Sequence, residues 1–353
     1  MARLSRAELQ EHNRAKVLAA ARAEFTERGF REAKIDQIAD RADLTRGAVY
    51  SNFPSKRALY FAVLAEAAEQ AAIPDHPPTA PTAGHVLADF ARAWLTRLPL
   101  ATEDLRSASR LGRDLLPEIM ADPRTSQPFA QLTSLSAIVL GLSLEWLRPS
   151  SARMVRVAEV ALTTLHGAGQ LAAAAPGFGE PFAVVGACAQ LASLDLDDTW
   201  QPAYLPHISP ARPVDQPWAP PARTDALRGE PARLGGDGVV AVLGLHRLAA
   251  VEEALRAAPG DIAVTAVLVT GDPDELGPLA RLVVTELRGC LGRAVARSAW
   301  PRLRIVHDES GAVAAAAGVS GISDATESAV RISGGRIVAR ADGYGACHAA
   351  ASG

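Results

Sequence analysis

Two proline-rich segments constrain the fold of this chain most, because proline interrupts helices and is excluded from central strands. The first, IPDHPPTAPTAG, begins at Ile73, and the second lies within residues 199–236. They predict domains at residues 1–73, 85–198 and 237–353, with 199–236 as a semi-extended linker. Apolar residues recur at helical spacing in the first two regions, whereas β-branched runs alternate with helical stretches in the third. We therefore expect two all-α regions followed by a small α/β domain.

The charge distribution locates any nucleic-acid surface at the N-terminus. The formal net charge is −3 over 353 residues, but residues 1–60 carry 12 Lys and Arg against 8 Asp and Glu. A basic patch on an otherwise acidic chain predicts local binding of nucleic acid rather than an overall attraction to it.

The sequence lacks the usual signals of secretion, catalysis or metal binding. Its cysteines, Cys188, Cys290 and Cys347, form no C-x-x-C pair, which favours a reducing compartment over a disulfide framework or a zinc site. The N-terminus lacks a secretory apolar core, and the alanine-rich runs are too short to span a bilayer. Phosphate loops, nucleophile elbows and dinucleotide fingerprints are also missing. We expect a cytoplasmic protein that is not an enzyme and has no cofactor, catalytic residue, metal site or membrane partner.

Two short helices near the N-terminus have helix-turn-helix spacing. A long amphipathic helix ends at Gly29, which can adopt the left-handed conformation that terminates helices, and Phe30 can fold back on it. The segment KIDQIADRA then predicts a short helix, and Asp43-Leu44-Thr45 forms the turn to a third helix, TRGAVYSNF, capped by Thr45. The last helix of such a pair enters the major groove of DNA.

From Asn13 to Leu64 the sequence resembles the tetracycline-repressor family, most clearly in RGAVYSNFPSKRALYFAVL. The resemblance implies an all-helical homodimer with a DNA-binding head and a ligand-binding body. It also implies DNA contacts by residues at the start of the recognition helix and just beyond it, namely Thr45, Arg46, Gly47, Tyr50 and Lys56.

The chemistry of these residues suits those roles. Gly47 allows close approach to the base edges, and Thr45 and Arg46 lie at the exposed start of the helix. Arg46 contacts either a guanine or a phosphate. Tyr50 and Lys56 match family positions that hold phosphates, although the ring of Tyr50 can instead pack in the core of the head.

Two positions depart from the family pattern. Lys34 replaces the usual Ser or Thr cap of the second helix and cannot accept its N–H groups, so a phosphate contact is its alternative role. Asp43 replaces the usual turn glycine, but aspartate tolerates the left-handed conformation.

The middle region predicts five helices between His85 and Leu194, of which the last two, rich in small residues, suit a dimer interface. An effector pocket is expected between the helices. The residues with distinctive chemistry for it are Trp94, Arg110, Arg113, Glu145, Trp146 and His166. Each has an alternative role without a ligand. The tryptophans can pack in the core, and the arginines can lie on the solvated surface.

The third region predicts the order strand, helix, strand, helix, strand, short helix and β-hairpin, with the hairpin turn at Ser333-Gly334-Gly335. This order and the closing ISGGRIVARADGYG resemble a thioredoxin-like fold. The first strand is followed by GLHRLAAVEE without cysteine, so a redox-inactive domain is expected.

The sequence thus predicts a ligand-responsive repressor that binds a double-stranded, palindromic operator as a homodimer and answers to an unknown small-molecule effector. The alternative is a redox-responsive regulator that senses through Cys290 and Cys347. Activation rather than repression stays open.

Overall fold

The computed structural model describes residues 5–71, 82–97, 111–147, 153–175, 177–198, 208–260 and 262–352. The helices of the first two regions are α1 (Arg6–Glu32), α2 (Ile35–Ala42), α3 (Arg46–Asn52), α4 (Lys56–Gln70), α5 (Ala83–Leu95), α6 (Leu115–Met120), α7 (Pro123–Glu145), α8 (Val155–Ala174) and α9 (Pro181–Leu191). The predicted helices are confirmed, except that the second helix of the middle region is seen only as α6, since residues 98–110 lie outside the described residues.

The end of α1 follows the prediction from Gly29. This glycine has φ 77° and ψ 170°, which breaks the helix before Glu32. Phe30 is buried and lies against Tyr60, with ring centroids 4.9 Å apart. Tyr60 also contacts Phe25, with 5.2 Å between centroids, so three aromatic rings fix α1 to α4.

The C-terminal region is a mixed α/β structure in the predicted order. Its elements are β1 (Arg212–Pro217), β2 (Thr224–Asp225), β3 (Glu230–Pro231), β4 (Gly238–Gly244), α10 (Val251–Ala257), β5 (Ala263–Val269), α11 (Leu276–Ala294), β6 (Arg304–His307), α12 (Ala312–Ala316), β7 (Glu327–Ser333), β8 (Arg336–Asp342) and α13 (Ala346–Ala351). The six-stranded sheet has the order β1-β8-β7-β4-β5-β6. Strands β4, β5 and β6 are parallel, and the other pairs are antiparallel. The hairpin turn is confirmed, because Gly334 and Gly335 both have positive φ.

The central strands are covered on both faces, which explains their continuous apolar sequences. Every residue of β4 is buried. Its alternate side chains belong to two clusters: Val239, Ala241 and Leu243 join the large helical core, whereas Val240 and Val242 join a smaller core on the other face.

The predicted linker is wrong in its C-terminal part. Residues 212–217 form the edge strand β1, which pairs with β8, and Trp218 and Leu234 are buried beneath the sheet. The Trp218 indole N–H donates to the Leu234 carbonyl at 2.7 Å. An edge strand tolerates proline because one side of it needs no N–H donors, so the prolines were a poor indicator of a linker here.

The helical and α/β regions share one hydrophobic core. Helix α11 packs against α4, α5 and α7, and the large apolar cluster continues from the head through the body to the sheet. The domain bounds 85–198 and 237–353 therefore describe changes of secondary structure rather than separate cores. The thioredoxin-like fold of the last region stays a prediction.

Helix α7 alone, among the described residues, is long and apolar enough to span a bilayer. Buried positions make up 61% of its most apolar window. A helix of this kind also serves as the central helix of a packed bundle.

Candidate nucleic-acid interface

Helices α2 and α3 form a helix-turn-helix whose geometry depends on Asp43. This residue has φ 54° and ψ 48°, the left-handed conformation predicted for it. Its N–H donates to the Asp40 carbonyl at 3.1 Å, and the N–H of Leu44 donates to the Ala39 carbonyl at 3.0 Å. These bonds close α2 and turn the chain directly into α3.

The start of α3 is capped and exposed. The Thr45 hydroxyl accepts the N–H of Ala48 at 3.2 Å, which confirms the predicted cap. Thr45, Arg46, Gly47 and Tyr50 are all exposed. A Cβ atom at Gly47 would meet only the Thr45 hydroxyl, at 3.8 Å, so the fold itself leaves room for a side chain there.

Arg46 and Tyr50 lie together on the outer face of α3. The Arg46 guanidinium is 3.4 Å from the Asp36 carboxylate and 5.6 Å from the centre of the Tyr50 ring. Hydrogen bonding to Tyr50 and the charge of Asp36 raise the pKa of Arg46. Tyr50 is 40% exposed, so its ring is not part of the core of the head, in contrast to the alternative considered for it.

The two candidate lysines differ in their surroundings. Lys34 precedes α2, is exposed and makes no capping bond, as its chemistry predicts. Lys56 is half-buried at the start of α4, where its Nζ donates to the Arg31 carbonyl at 3.2 Å and lies 4.5 Å from the centre of the Phe30 ring. Burial lowers the pKa of Lys56.

One basic residue near α3 was missed by the sequence analysis. Arg14 of α1 donates to the Asn52 carbonyl at 3.1 Å and stacks on the Phe53 ring at 4.3 Å. It holds the C-terminal end of the recognition helix. Its position in the middle of an ordinary amphipathic helix gave no signal of this contact.

A small apolar core supports the helix-turn-helix from inside the head. Ile38, Val49 and Phe53 are almost fully buried, and Leu44 is half-buried against them. Glu24 is also buried and forms an ion pair with Arg28 within α1 and a second with Arg41, which joins α1 to α2. The helix-turn-helix is therefore held in place by apolar packing and by an ion pair to α1.

Two of the effector-pocket candidates meet in the body. The rings of Trp94 and His166 are 4.7 Å apart, edge to face, and Phe129 contacts His166 on another side. Burial, together with the nearby charge of Arg97, lowers the pKa of His166 to about 4. These side chains line a cavity of about 20 Å³, and Val283, Glu286 and Leu287 of α11 line it as well.

The other pocket candidates are not brought to this cavity. Trp146 is 66% exposed at the end of α7, and Arg113 is exposed. Glu145 accepts the N–H of Met154 at 2.9 Å and lies 3.8 Å from the Arg153 guanidinium. Arg110 lies outside the described residues. A cavity of 20 Å³ holds about one water molecule, whereas organic ligands occupy pockets of several hundred Å³.

The head of the chain matches a known protein family. Residues 17–63 match the model of the bacterial regulatory proteins of the tetR family, the span that contains the helix-turn-helix and the start of α4. The head is therefore similar to the N-terminal domain of that family, which confirms the predicted resemblance over residues 17–63.

A transcriptional regulator is also similar to part of this chain. Over 55 residues the chain is 42% identical to the HTH-type transcriptional activator FasR of Mycolicibacterium smegmatis. The match covers 16% of this chain and 25% of that protein. The chain thus aligns with about a quarter of the length of FasR.

Among solved structures, Salmonella enterica GusR superposes with a TM-score of 0.35 at 20% sequence identity. The alignment covers 52% of this chain and 96% of that one.

Proposed function

We propose that this protein is a cytoplasmic transcriptional regulator that binds a palindromic operator as a homodimer and represses transcription until an effector releases it. The observation that carries the proposal is the exposed start of α3, with Thr45, Arg46, Gly47 and Tyr50 on the outer face of a tetR-family head. A regulator without catalytic chemistry needs no cofactor, and its partners are DNA, a second copy of the chain and a small molecule.

In this proposal Arg46 reads the operator. Its ion pair with Asp36 joins two side chains that are more than half exposed, so it contributes little stability and can be exchanged for a base or phosphate. Gly47 lets α3 approach the base edges, a role supported by the free space around it in the protein. Tyr50, Lys34 and Lys56 would hold phosphates and fix the register of the helix.

Exposed apolar side chains support dimerisation through α8 and α9. They are Val160, Leu171, Phe178, Phe182 and Leu194. Phe182 and Phe178 are 77% and 68% exposed, which is unusual for aromatic rings of a monomer when they occur in one neighbourhood of the chain. A second copy that packs on these helices would bury them and set the spacing of two recognition helices along DNA.

The effector is expected to act on the cavity at Trp94 and His166. Because α11 lines this cavity and leaves it only about 20 Å³, a ligand of ordinary size needs the lining to move before it can enter. Binding would then favour a second arrangement of the chain, and release of DNA would follow as a population shift.

Redox sensing receives no support from the cysteine environments. Cys290 and Cys347 are buried, and burial raises the pKa of each thiol. Reactive cysteines need the opposite, a lowered pKa and access to solvent.

Activation is the second candidate function, and the name of FasR, a transcriptional activator, favours it. The test is to incubate the purified protein with fragmented genomic DNA of its source, sequence the retained fragments and place the recovered site beside a reporter gene. Recovery of an inverted repeat and lower reporter output in the presence of the protein would support repression, whereas higher output would support activation. Retention of fragments without a shared motif would contradict an operator-specific regulator.

A further inference from the structure

Three helix starts, from the head, the body and the C-terminal region, meet at one point. Ser55 caps α4 by accepting the N–H of Ala58 at 2.9 Å, and Asp122 caps α7 by accepting the N–H of Arg124 at 2.9 Å. Glu275 directly precedes α11.

Arg57 and Glu275 connect these starts. One Glu275 oxygen accepts from the Arg57 Nε at 2.6 Å, and the other accepts from the Ser55 hydroxyl at 2.8 Å. Arg57 also donates to Asp122 at 2.8 Å. We call Ser55, Arg57, Asp122 and Glu275 the helix-start junction. Its ionic hydrogen bonds are of the stronger kind, and Glu275 is only 9% exposed.

The junction lies at the N-terminal end of α11, a helix that packs against helices of both the head and the body. Helix α11 packs against α4, α5 and α7, and Leu287 and Val283 reach the small cavity beside Trp94. A second ion pair, from Glu286 of α11 to Arg97 at 3.1 Å, fixes the helix to the body. The α/β region thus contributes one helix to the packing of the body and to the lining of this cavity.

Helix α4 belongs to the head and the body at once. It packs on α1 through Tyr60 and on α11 along its length. Lys56, a proposed phosphate contact, lies in the sequence between Ser55 and Arg57, the two residues that bind Glu275. In this arrangement the start of α3 is open to solvent. The arrangement that the junction holds is therefore one in which DNA can reach the recognition helix.

We propose that Glu275 is a positioning residue for DNA binding: by holding Ser55 and Arg57, it locks α4 and the head in the DNA-competent orientation. The C-terminal α/β region then acts as a built-in control element of the head. This inference rests on the proposed DNA-binding function. Without Glu275 the head would sample other orientations, and the apparent affinity would fall with the population of the competent one.

The test compares Glu275→Gln with Glu230→Gln in the full-length protein. Each variant removes one carboxylate of the α/β region that pairs with an arginine, but only Glu275 contacts the start of α4. We expect Glu275→Gln to weaken binding to a duplex carrying the recovered operator by about tenfold, and Glu230→Gln to leave it within about twofold. Arg57→Gln combined with Glu275→Gln should weaken binding no more than the stronger single variant, because the two residues act as one unit.

Hydrogen exchange without DNA provides a second readout. Glu275→Gln should accelerate exchange at the start of α4 and in α2 and α3, whereas Glu230→Gln should not. Unchanged operator affinity and unchanged exchange in α2 and α3 for Glu275→Gln would overturn the inference, and so would equal effects of both variants. If wild-type protein binds no DNA specifically but exchange responds as expected, the proposed function fails while the coupling stands.

Discussion

The Asp114 carboxylate of the body accepts the backbone N–H of Phe30 in the head at 2.7 Å. The bond lies next to Gly29, where α1 is broken. An acidic side chain of the body therefore accepts a hydrogen bond from a backbone N–H of the head at this break. The Tyr60 hydroxyl donates to the Leu111 carbonyl at 2.5 Å beside it. Head and body are therefore joined by hydrogen bonds as well as by packing.

Replacing Asp114 by Ala should destabilise the protein, because the partly buried N–H of Phe30 would lose its acceptor. We expect a loss of about 1–3 kcal/mol in the free energy of unfolding, measured by urea denaturation. Asp89→Ala is the control, since among the described residues Asp89 pairs with Arg92 on the same helix and should cost less than about 0.5 kcal/mol. Equal losses for the two variants would contradict the proposed role of Asp114.

Gly141 is required where α7 and α8 touch. A Cβ atom there would lie 2.7 Å from the Val155 Cα and 2.8 Å from its nitrogen, and backbone cannot move aside cheaply. We expect Gly141→Ala to destabilise the protein by about 1–3 kcal/mol in denaturant unfolding. Gly289 of α11 has no atom within 4 Å of such a Cβ, so Gly289→Ala should instead stabilise the helix by about 0.5–1 kcal/mol. A change in the free energy of unfolding with the same sign for both variants would contradict these predictions.

Stability should fall as the pH drops below the ordinary pKa of histidine. Burial lowers the pKa of His166 to about 4, so between pH 6.5 and 4 the unfolded chain binds a proton that the folded chain does not. The stability that comes from neutral, buried His166 is therefore fully present above this pH window and is lost as the pH falls through it. We expect His166→Phe, which keeps an aromatic ring against Trp94, to remove about 1 kcal/mol of the loss between pH 7.5 and 5.5.

His307 provides the comparison for this experiment. Burial, together with the charge of Arg281, lowers its pKa to about 4 as well. Part of the acid sensitivity should therefore persist in His166→Phe and disappear only in the double variant. Urea midpoints that depend on pH equally in wild type and His166→Phe would show that His166 is not held neutral by the fold.

The exposed aromatics of α9 and its preceding loop should control association. Phe178→Ser with Phe182→Ser removes two rings that are more than two-thirds exposed, so it should convert a dimer into a monomer without loss of fold. Light scattering after size exclusion measures this directly. Trp146→Ser removes a ring of similar exposure at the end of α7 and should leave the dimer intact. A protein that is monomeric before mutation would contradict the proposed interface.

The parts of the structure that the sequence predicts well depend on local chemistry. Thr45 as a cap, Asp43 in the left-handed conformation and the Gly334-Gly335 turn each follow from the preferences of one residue and its neighbours. The candidate DNA contacts of the helix-turn-helix follow instead from the resemblance to the tetracycline-repressor family, and they stay a prediction.

The parts that were missed depend on contacts between distant residues. Glu275 lies 218 positions from Arg57, and nothing in either local sequence indicates the pair. The prolines of β1 were read as a linker, because an edge strand cannot be recognised without its partner β8. Likewise, the sequence predicts a pocket at Trp94 and His166, but it could not show that distant residues of α11 line the site and that only about 20 Å³ is left.

Fluorescence anisotropy with a labelled duplex tests the central claim most directly. Wild-type protein would be titrated at two salt concentrations on the DNA flanking its gene and on a scrambled duplex, beside Arg46→Ala/Tyr50→Ala and, as a control, the exposed Arg92→Ala. We predict tight, salt-dependent binding to the native duplex that the double variant weakens at least about tenfold and Arg92→Ala leaves unchanged. Equal binding of native and scrambled DNA, or full binding by the double variant, would contradict sequence recognition by α3.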